Sequence, residues 1–183
     1  NLEIHLDNIL ASLAVFSKIF DLNEINEKIF YDYKLPEGRG DFNIIKINNK
    51  KIKLIDESYN SNPLSLKFAI NKFDKISTKS NKIVLLGDML ELGKFSKKLH
   101  LLAARDVNNS KINKVYAYGK KIIYTFNKIR TQKRGKLLKS KESIVSFIKN
   151  EINNGDYLMI KGSNSTGLNS LVSKLKSGKI NAF

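Results

Sequence analysis

The chain contains no cysteine, which excludes disulfides, thiolate nucleophiles and thiolate metal sites and fits a reducing compartment such as a cytoplasm. Its two histidines, His5 and His100, lie far apart and make no credible metal site. No apolar run approaches the roughly 20 residues a membrane-spanning helix needs, so no membrane insertion is expected. No G-x-x-x-x-G-K-[ST] stretch occurs, so a phosphate-binding loop of that kind is missing too. No signal peptide is visible, and the chain opens on Asn1 where a complete protein would open on Met, as a piece of something longer would. Acidic residues are scarce, with 17 Asp and Glu against 33 Lys and Arg, a net charge of +16. The lysines are nonetheless spread over every segment among many Asn and Ile, which reads as compositional drift and not as a patch. The densest basic run, Arg130–Lys141, has no aromatic residue to stack on bases. No nucleic-acid partner is expected from it, although phosphate-bearing small ligands suit such a surface.

What is present is ordinary for a globular protein, 42% hydrophobic and 27% charged residues. Apolar spacing predicts two leading helices, about Asp7–Phe20 and Leu22–Phe30. The stretch "DYKLPEGRGD" then reads as a connection, which divides the chain into residues 1–34 and 35–183. Beyond it, "FNIIKI" and "KIKLID" flank Asn48 and Asn49, which suit a two-residue hairpin. A helix capped by Asn62 with Pro63 in its first position should bury Leu66, Ala69, Ile70 and Phe73. There follow the strand "KIVLLG", a helix capped by Ser96, the strand "KVYAYG" and the helix "KKIIYTFNKI". The short strand "GKLLK", the helix "KESIVSFIKNEI", the strand "DYLMIKG" and a last helix "GLNSLVSKL" complete the chain. This alternation predicts an α/β fold: a mostly parallel, Rossmann-like sheet with helices on both faces and a leading β-hairpin.

Parallel strands joined by crossovers send all their carboxyl ends to one edge. Four polar stretches fall there: Asp56–Asn62, "GDMLELG" from Gly87 to Gly93, Gly119-Lys120, and "KGSNSTG" from Lys161 to Gly167. Asp56 and Glu57 end a strand, where successive side chains point to opposite faces, so one can face a ligand while the other supports the loop. Lys161, delivered at a strand tip before Gly162 and Ser163, suits a carboxylate or a phosphate. Arg39, between two glycines, offers a guanidinium fork matched to phosphate. Each also has a structural reading as a solvated charge, a turn or a helix cap. His100, four residues after Ser96, reads as a satisfied helix histidine.

Taken together, "GRGD", "LIDESYNSNPLSLKFAI", "VLLGDMLELGKFSKKLH" and "YLMIKGSNSTGLNSLVSKL" resemble the C-terminal part of the Mur ligase family, from about Leu35 to Leu175. The details lie nearest the members that add D-alanyl-D-alanine to UDP-N-acetylmuramoyl-tripeptide in peptidoglycan synthesis. The resemblance implies an ATP-dependent amide ligase of the bacterial cytoplasm that works through an acyl phosphate, with Mg2+ shielding the phosphates. It makes residues 1–34 the helical end of a central ATPase domain, and 35–183 the C-terminal domain that closes over it. It puts Arg39, Asp56, Glu57 and, near the adenine, Asn8 at ATP. It puts Tyr59, Asn60, Asn62, Lys161, Gly162 and Ser163 around the substrates. Asp88, with Glu91, is carried over as a motif position that binds substrate or holds the loop. No catalytic residue and no metal ligand is assigned in this chain.

Two features depart from the family. Ile4 stands where a histidine is usual, with His5 one residue out of register, and Glu57 replaces a usual aspartate. The phosphate loop, most metal ligands and the UDP-sugar domain are expected in missing N-terminal and central domains of the same polypeptide, so this piece alone is expected to be inactive. Three alternatives remain: another amide ligase of the superfamily, such as a folylpolyglutamate synthase, a basic α/β nucleic-acid-binding module, and a non-catalytic nucleotide-binding domain.

Overall fold

A computed structural model describes residues 6–26, 28 and 36–179. The chain forms two units, Asn1–Leu35 and Pro36–Phe183. In the first, α1 spans Leu6–Phe16 and a 3-10 turn spans Leu22–Glu24, capped by the Asp21 carboxylate, which accepts from the N–H of Asn23. The first helix therefore ends four residues before the expected Phe20. The expected second helix is a single turn that ends at Ile25, whose backbone is extended; of its last four residues only Lys28 is described, and His5 lies outside the described residues. Val15, Ile19 and Phe20 of this unit are exposed.

The second unit is a six-stranded sheet in the order β1-β2-β6-β3-β4-β5. Its strands are β1 Asp41–Ile47, β2 Lys50–Glu57, β3 Lys82–Gly87, β4 Lys114–Tyr118, β5 Arg134–Leu138 and β6 Tyr157–Lys161. Only β1 runs antiparallel, paired with β2 through Asn48 and Asn49, both at positive φ as a tight hairpin turn demands. The helices are α2 Pro63–Asp74, α3 Ser96–Asn109, α4 Ile123–Phe126, α5 Lys141–Glu151 and α6 Leu168–Lys176. The chain steps from β2 to β3, β4 and β5 in one direction, then returns to insert β6 between β2 and β3. A right-handed crossover moving the opposite way must lie on the opposite face. Accordingly α2, α3 and α4 pack on one side with Val84, Leu86 and Met159, while α5 and α6 pack on the other with Leu85, Leu158 and Ile160.

Residue choices explain the helix boundaries. Asn62 caps α2 by accepting from Ser65 N–H, and the Ser65 hydroxyl oxygen accepts from Asn62 N–H in return. The face buried by α2 is Leu66, Ala69, Ile70 and Phe73, as the spacing predicts. Ser140 caps α5 in the same manner. Ser96, in contrast, is the first residue of α3 and not its cap; a 3-10 turn over Gly93–Phe95 leads in, and Phe95 offers no side-chain bond. The "KKIIYTFNKI" helix shrinks to four α-helical residues: Asp88 accepts from the amides of residues 120–122 ahead of it, and Lys128 and Ile129 donate three residues back, to Thr125 and Phe126, as its end tightens. At the far helix ends several cations turn inward to meet carbonyls. Lys50 reaches Lys149 and Ile152, Lys82 reaches Asp74, and Lys133 reaches Val107 and Ser110.

One buried polar atom is left over. Among the described residues, Asn43 Nδ2 is buried with no hydrogen-bond partner, on the β1 face shared with Ile45 and Ile47. Asn43→Val removes that donor and suits a strand, so it should stabilise the protein by about 1 kcal/mol in urea denaturation. A loss of stability would show that the carboxamide is satisfied in solution.

Candidate functional site

Parallel pairing brings Glu57 beside Lys161, and Lys161 beside Leu86, so the ends of β2, β6 and β3 lie level. Lys161, only 1% exposed, donates from Nζ to the Asn60 carbonyl at 2.9 Å and stands 3.6 Å from Glu57 Oε2. That separation exceeds a good hydrogen bond, so the pair is close but not locked. Burial raises the Glu57 pKa despite the nearby Lys161 and Lys72. Burial likewise lowers the Lys161 pKa despite Glu57, and the Arg39 charge lowers it further. Both shifts run against the ion pair, so desolvation outweighs the mutual attraction. Two perturbed charges together at a sheet edge make this a candidate site.

The Arg39 loop lies against this pair. Tyr59 N–H donates to the Gly38 carbonyl at 3.1 Å, and Gly40 N–H to the Asp56 carbonyl at 2.7 Å. The exposed Arg39 guanidinium sits 4.4 Å over the Tyr59 ring, a cation–π contact. Gly40 has φ +94°, and a Cβ there would stand 3.1 Å from Glu57 Oε1, so a side chain would crowd the carboxylate. Asn60 is exposed, with its carboxamide oxygen accepting from Ser61 N–H at 2.7 Å. Arg39, Glu57, Tyr59, Asn60 and Lys161 thus share one rim.

The other expected residues support that rim from behind. Asp56 is buried: Oδ1 accepts from the Ser58 amide and hydroxyl, and Oδ2 meets Lys176 at 2.6 Å. It does not present itself to ATP as expected, because it shares the buried face of Ile52 and Leu54 while Glu57 takes the opposite one. The Asn62 carboxamide oxygen is the α2 cap. Asp88, expected at substrate or in a structural role, takes the structural one, accepting from the amides of Lys120, Lys121 and Ile122 at 2.7–3.0 Å. Gly119, at φ +136°, permits this approach; a Cβ there would fall 2.3 Å from Asp88 Oδ1. Ser163 is also buried and ties three loops, with its hydroxyl donating to Ser61 O, accepting from Leu90 N–H, and its own N–H donating to Asp88 O. Gly162 is required by packing, since a Cβ would stand 2.8 Å from Leu168 Cδ1 and 3.1 Å from Gly87 Cα. Glu91 is exposed at φ +60° in the β3–α3 loop. Asn8 falls in α1, but its side chain lies outside the described residues. His100 is the satisfied helix histidine: Nδ1–H donates to Ser96 O at 2.8 Å and Nε2 accepts from Met89 N–H at 3.2 Å.

Sequence reasoning missed Lys176 and Asp41, which join Asp56 beneath the rim, and the two serines Ser58 and Ser61. The densest basic run is partly occupied internally. Lys133 caps α3, and Arg134 donates to the carbonyls of Ile129 and Asn127. Among the described residues no three His, Asp or Glu side chains could hold a metal ion together, and no helix is long and apolar enough to cross a membrane.

The raised Glu57 value gives a signed pH prediction. The folded state holds that proton more tightly than an unfolded chain with the ordinary value of 4.5. The associated stability is present at low pH and lost as pH rises through the folded value. Wild type should therefore lose stability relative to Glu57→Gln as pH rises from below 4.5 towards neutrality, measured by denaturant titration. A difference that moves the other way would show that pairing with Lys161 outweighs burial.

Comparison with known proteins gives these features a family. Residues 42–164 match the Mur ligase, glutamate ligase domain family. The UDP-N-acetylmuramoyl-tripeptide–D-alanyl-D-alanine ligase of Rickettsia prowazekii (strain Madrid E) is 30% identical over 149 residues, 81% of this chain and 32% of that protein. The ligase of the same name from Bacillus subtilis (strain 168) is 28% identical over 127 residues, 68% of this chain and 28% of its own length. The chain spans about a third of the length of these curated relatives. Among solved structures, the MurF ligase of Thermotoga maritima in complex with ADP aligns with a TM-score of 0.70 at 22% identity, over 96% of this chain and 38% of that one. MurF from Acinetobacter baumannii gives 0.71 at 22% identity, covering 93% and 36%. At such identities the structural likeness concerns the fold, and the match over residues 42–164 carries the assignment: this chain belongs to the Mur ligase family, through its glutamate ligase domain.

Proposed function

We propose that this chain is the C-terminal part of an ATP-dependent ligase that adds D-alanyl-D-alanine to UDP-N-acetylmuramoyl-tripeptide in bacterial peptidoglycan synthesis. The observation that carries the reading is the rim itself, where Arg39, Glu57, Asn60 and Lys161 meet within linked contacts. The curated relatives bear the name of that ligase. Residues 1–34 are read as the end of the central ATPase domain. The exposed Val15, Ile19 and Phe20 support this, since the rest of such a domain would cover them. The missing domains of the same polypeptide and the two substrates are then the chain's partners, in the bacterial cytoplasm.

The residues present fit a nucleotide. Glu57 keeps a partly exposed carboxylate beside the space left by Gly40, suited to ribose hydroxyls, and Arg39 holds an exposed guanidinium two residues from β1. ATP supplies the phosphoryl group that activates the tripeptide carboxylate as an acyl phosphate open to the amine of the dipeptide. Arg39 would set five donors against the phosphates, and its stacking on Tyr59 pre-orders that fork. Lys161, buried at the floor of the rim, would hold the Asn60 carbonyl from beneath and add positive potential that favours an anionic substrate group there. Mg2+ would be held mainly by the missing central domain together with the ATP phosphates, as the family resemblance implies. The interior use of Lys133 and Arg134 weakens the nucleic-acid alternative.

The test is a chimaera in which this chain replaces the corresponding third of the Rickettsia prowazekii ligase. It should form product only with ATP and D-alanyl-D-alanine, and Arg39→Ala and Asn60→Ala should each lower kcat/KM by about 100-fold. Activity on a folate and glutamate instead would select the other ligase class. Unchanged turnover in both variants would overturn the site.

A further inference from the structure

The sheet register creates an electrostatic problem beneath the rim. Asp41 and Asp56 are cross-strand partners, so their carboxylates stand side by side on the face of the hairpin covered by α6. Like charges directly opposite one another destabilise a strand pair. Lys176, in the last turn of α6, places Nζ 2.7 Å from Asp41 Oδ2 and 2.6 Å from Asp56 Oδ2. The other oxygen of each carboxylate folds a loop. Asp41 Oδ1 accepts from the amides of Gly38 and Arg39 at 3.1 and 3.3 Å. Asp56 Oδ1 accepts from the Ser58 amide at 3.1 Å and its hydroxyl at 2.6 Å. The two loops are then zipped together through Gly40–Asp56 and Tyr59–Gly38 backbone bonds.

We propose that Lys176 is the positioning residue of the rim: one ammonium holds two facing carboxylates, whose free oxygens shape the loops that present Arg39 and the Glu57–Asn60 segment. Lys176 touches no candidate ligand group and acts only through Asp41 and Asp56. Partial burial opposes its charge, but the hydrogen bonds and attraction of the two aspartates more than offset this and raise its pKa. The ammonium is therefore held charged where the register requires a cation. The same network lowers the Asp41 pKa, its burial being outweighed by the bonds from Lys176 and Gly38. Without the cation the carboxylates repel, Asp41 turns outward, and the Gly38 and Arg39 amides lose their acceptor. Arg39 then swings free of Tyr59, while the Asp88 and Ser163 knots, which do not involve Lys176, stay closed.

The inference rests on the ligase reading only for its kinetic consequence, so the experiment has two arms. In the 183-residue chain, Lys176→Met keeps most of the packed stem and removes the charge. Its amide spectrum should shift at residues 38–41 and 56–59, with hydrogen exchange of the Gly40 and Tyr59 amides faster by about tenfold, while residues 120–122 and 163 stay as in wild type. Lys176→Arg, which can also bridge two carboxylates, should restore protection. In the Rickettsia chimaera, Lys176→Met should raise the KM for ATP about tenfold and the KM for the dipeptide less, with Lys176→Arg restoring both. Amides at 38–41 and 56–59 that match wild type in Lys176→Met, or perturbation spread evenly over the whole sheet, would overturn the positioning role. Altered amides with no ligation by the unmutated chimaera would instead overturn the ligase reading and leave the clamp standing.

Discussion

Everything at the candidate site depends on β6 entering the sheet between β2 and β3. The last strand in the chain occupies a central position, so its tip touches the loops of both neighbours. Lys161 reaches the Asn60 carbonyl on one side, and Ser163 links Ser61 to Leu90 across the rim. Close passage is possible there because Gly87 and Gly162 face each other without side chains. Residues some hundred positions apart in the chain therefore form one polar edge, and disrupting β6 would scatter it.

That edge divides into two layers with different tasks. The outer layer, Arg39, Glu57, Tyr59 and Asn60 with buried Lys161 at its floor, keeps charges that are incompletely paired. Glu57 and Lys161 each carry a desolvation penalty that their separation does not repay. The inner layer is fully committed: Asp56, Asp88 and Ser163 have donors or acceptors on every useful atom. A frustrated pair on a satisfied base is a reasonable arrangement for a surface that must take up a charged ligand without deforming.

Much of this was legible in the sequence, for identifiable reasons. Alternating strands and helices, the Asn-Asn hairpin and the Asn62-Pro63 helix start all rest on local chemistry, and all are found. The roles within the Asp56–Glu57 pair were legible in principle. Ile52, Leu54 and Asp56 share parity along β2, so the aspartate follows the buried residues inward. Asp88 and Ser163 looked like ligand groups because their partners, the amides of residues 120–122 and the Ser61 carbonyl, are distant in the chain. Lys176 carried no local signal at all, being one lysine among many until the register sets Asp41 opposite Asp56. The short α4 was over-read because apolar spacing does not show that the chain tightens into three-residue bonds after Phe126.

The central claim is that the β2–β6 rim of this chain meets a nucleotide. An NMR titration of the isotopically labelled chain with ATP tests it most directly. The account predicts amide perturbations centred on Arg39–Gly40, Glu57–Asn60 and Lys161–Gly162. Perturbations centred on the basic run Arg130–Lys141, or none at the rim at saturating nucleotide, would contradict it.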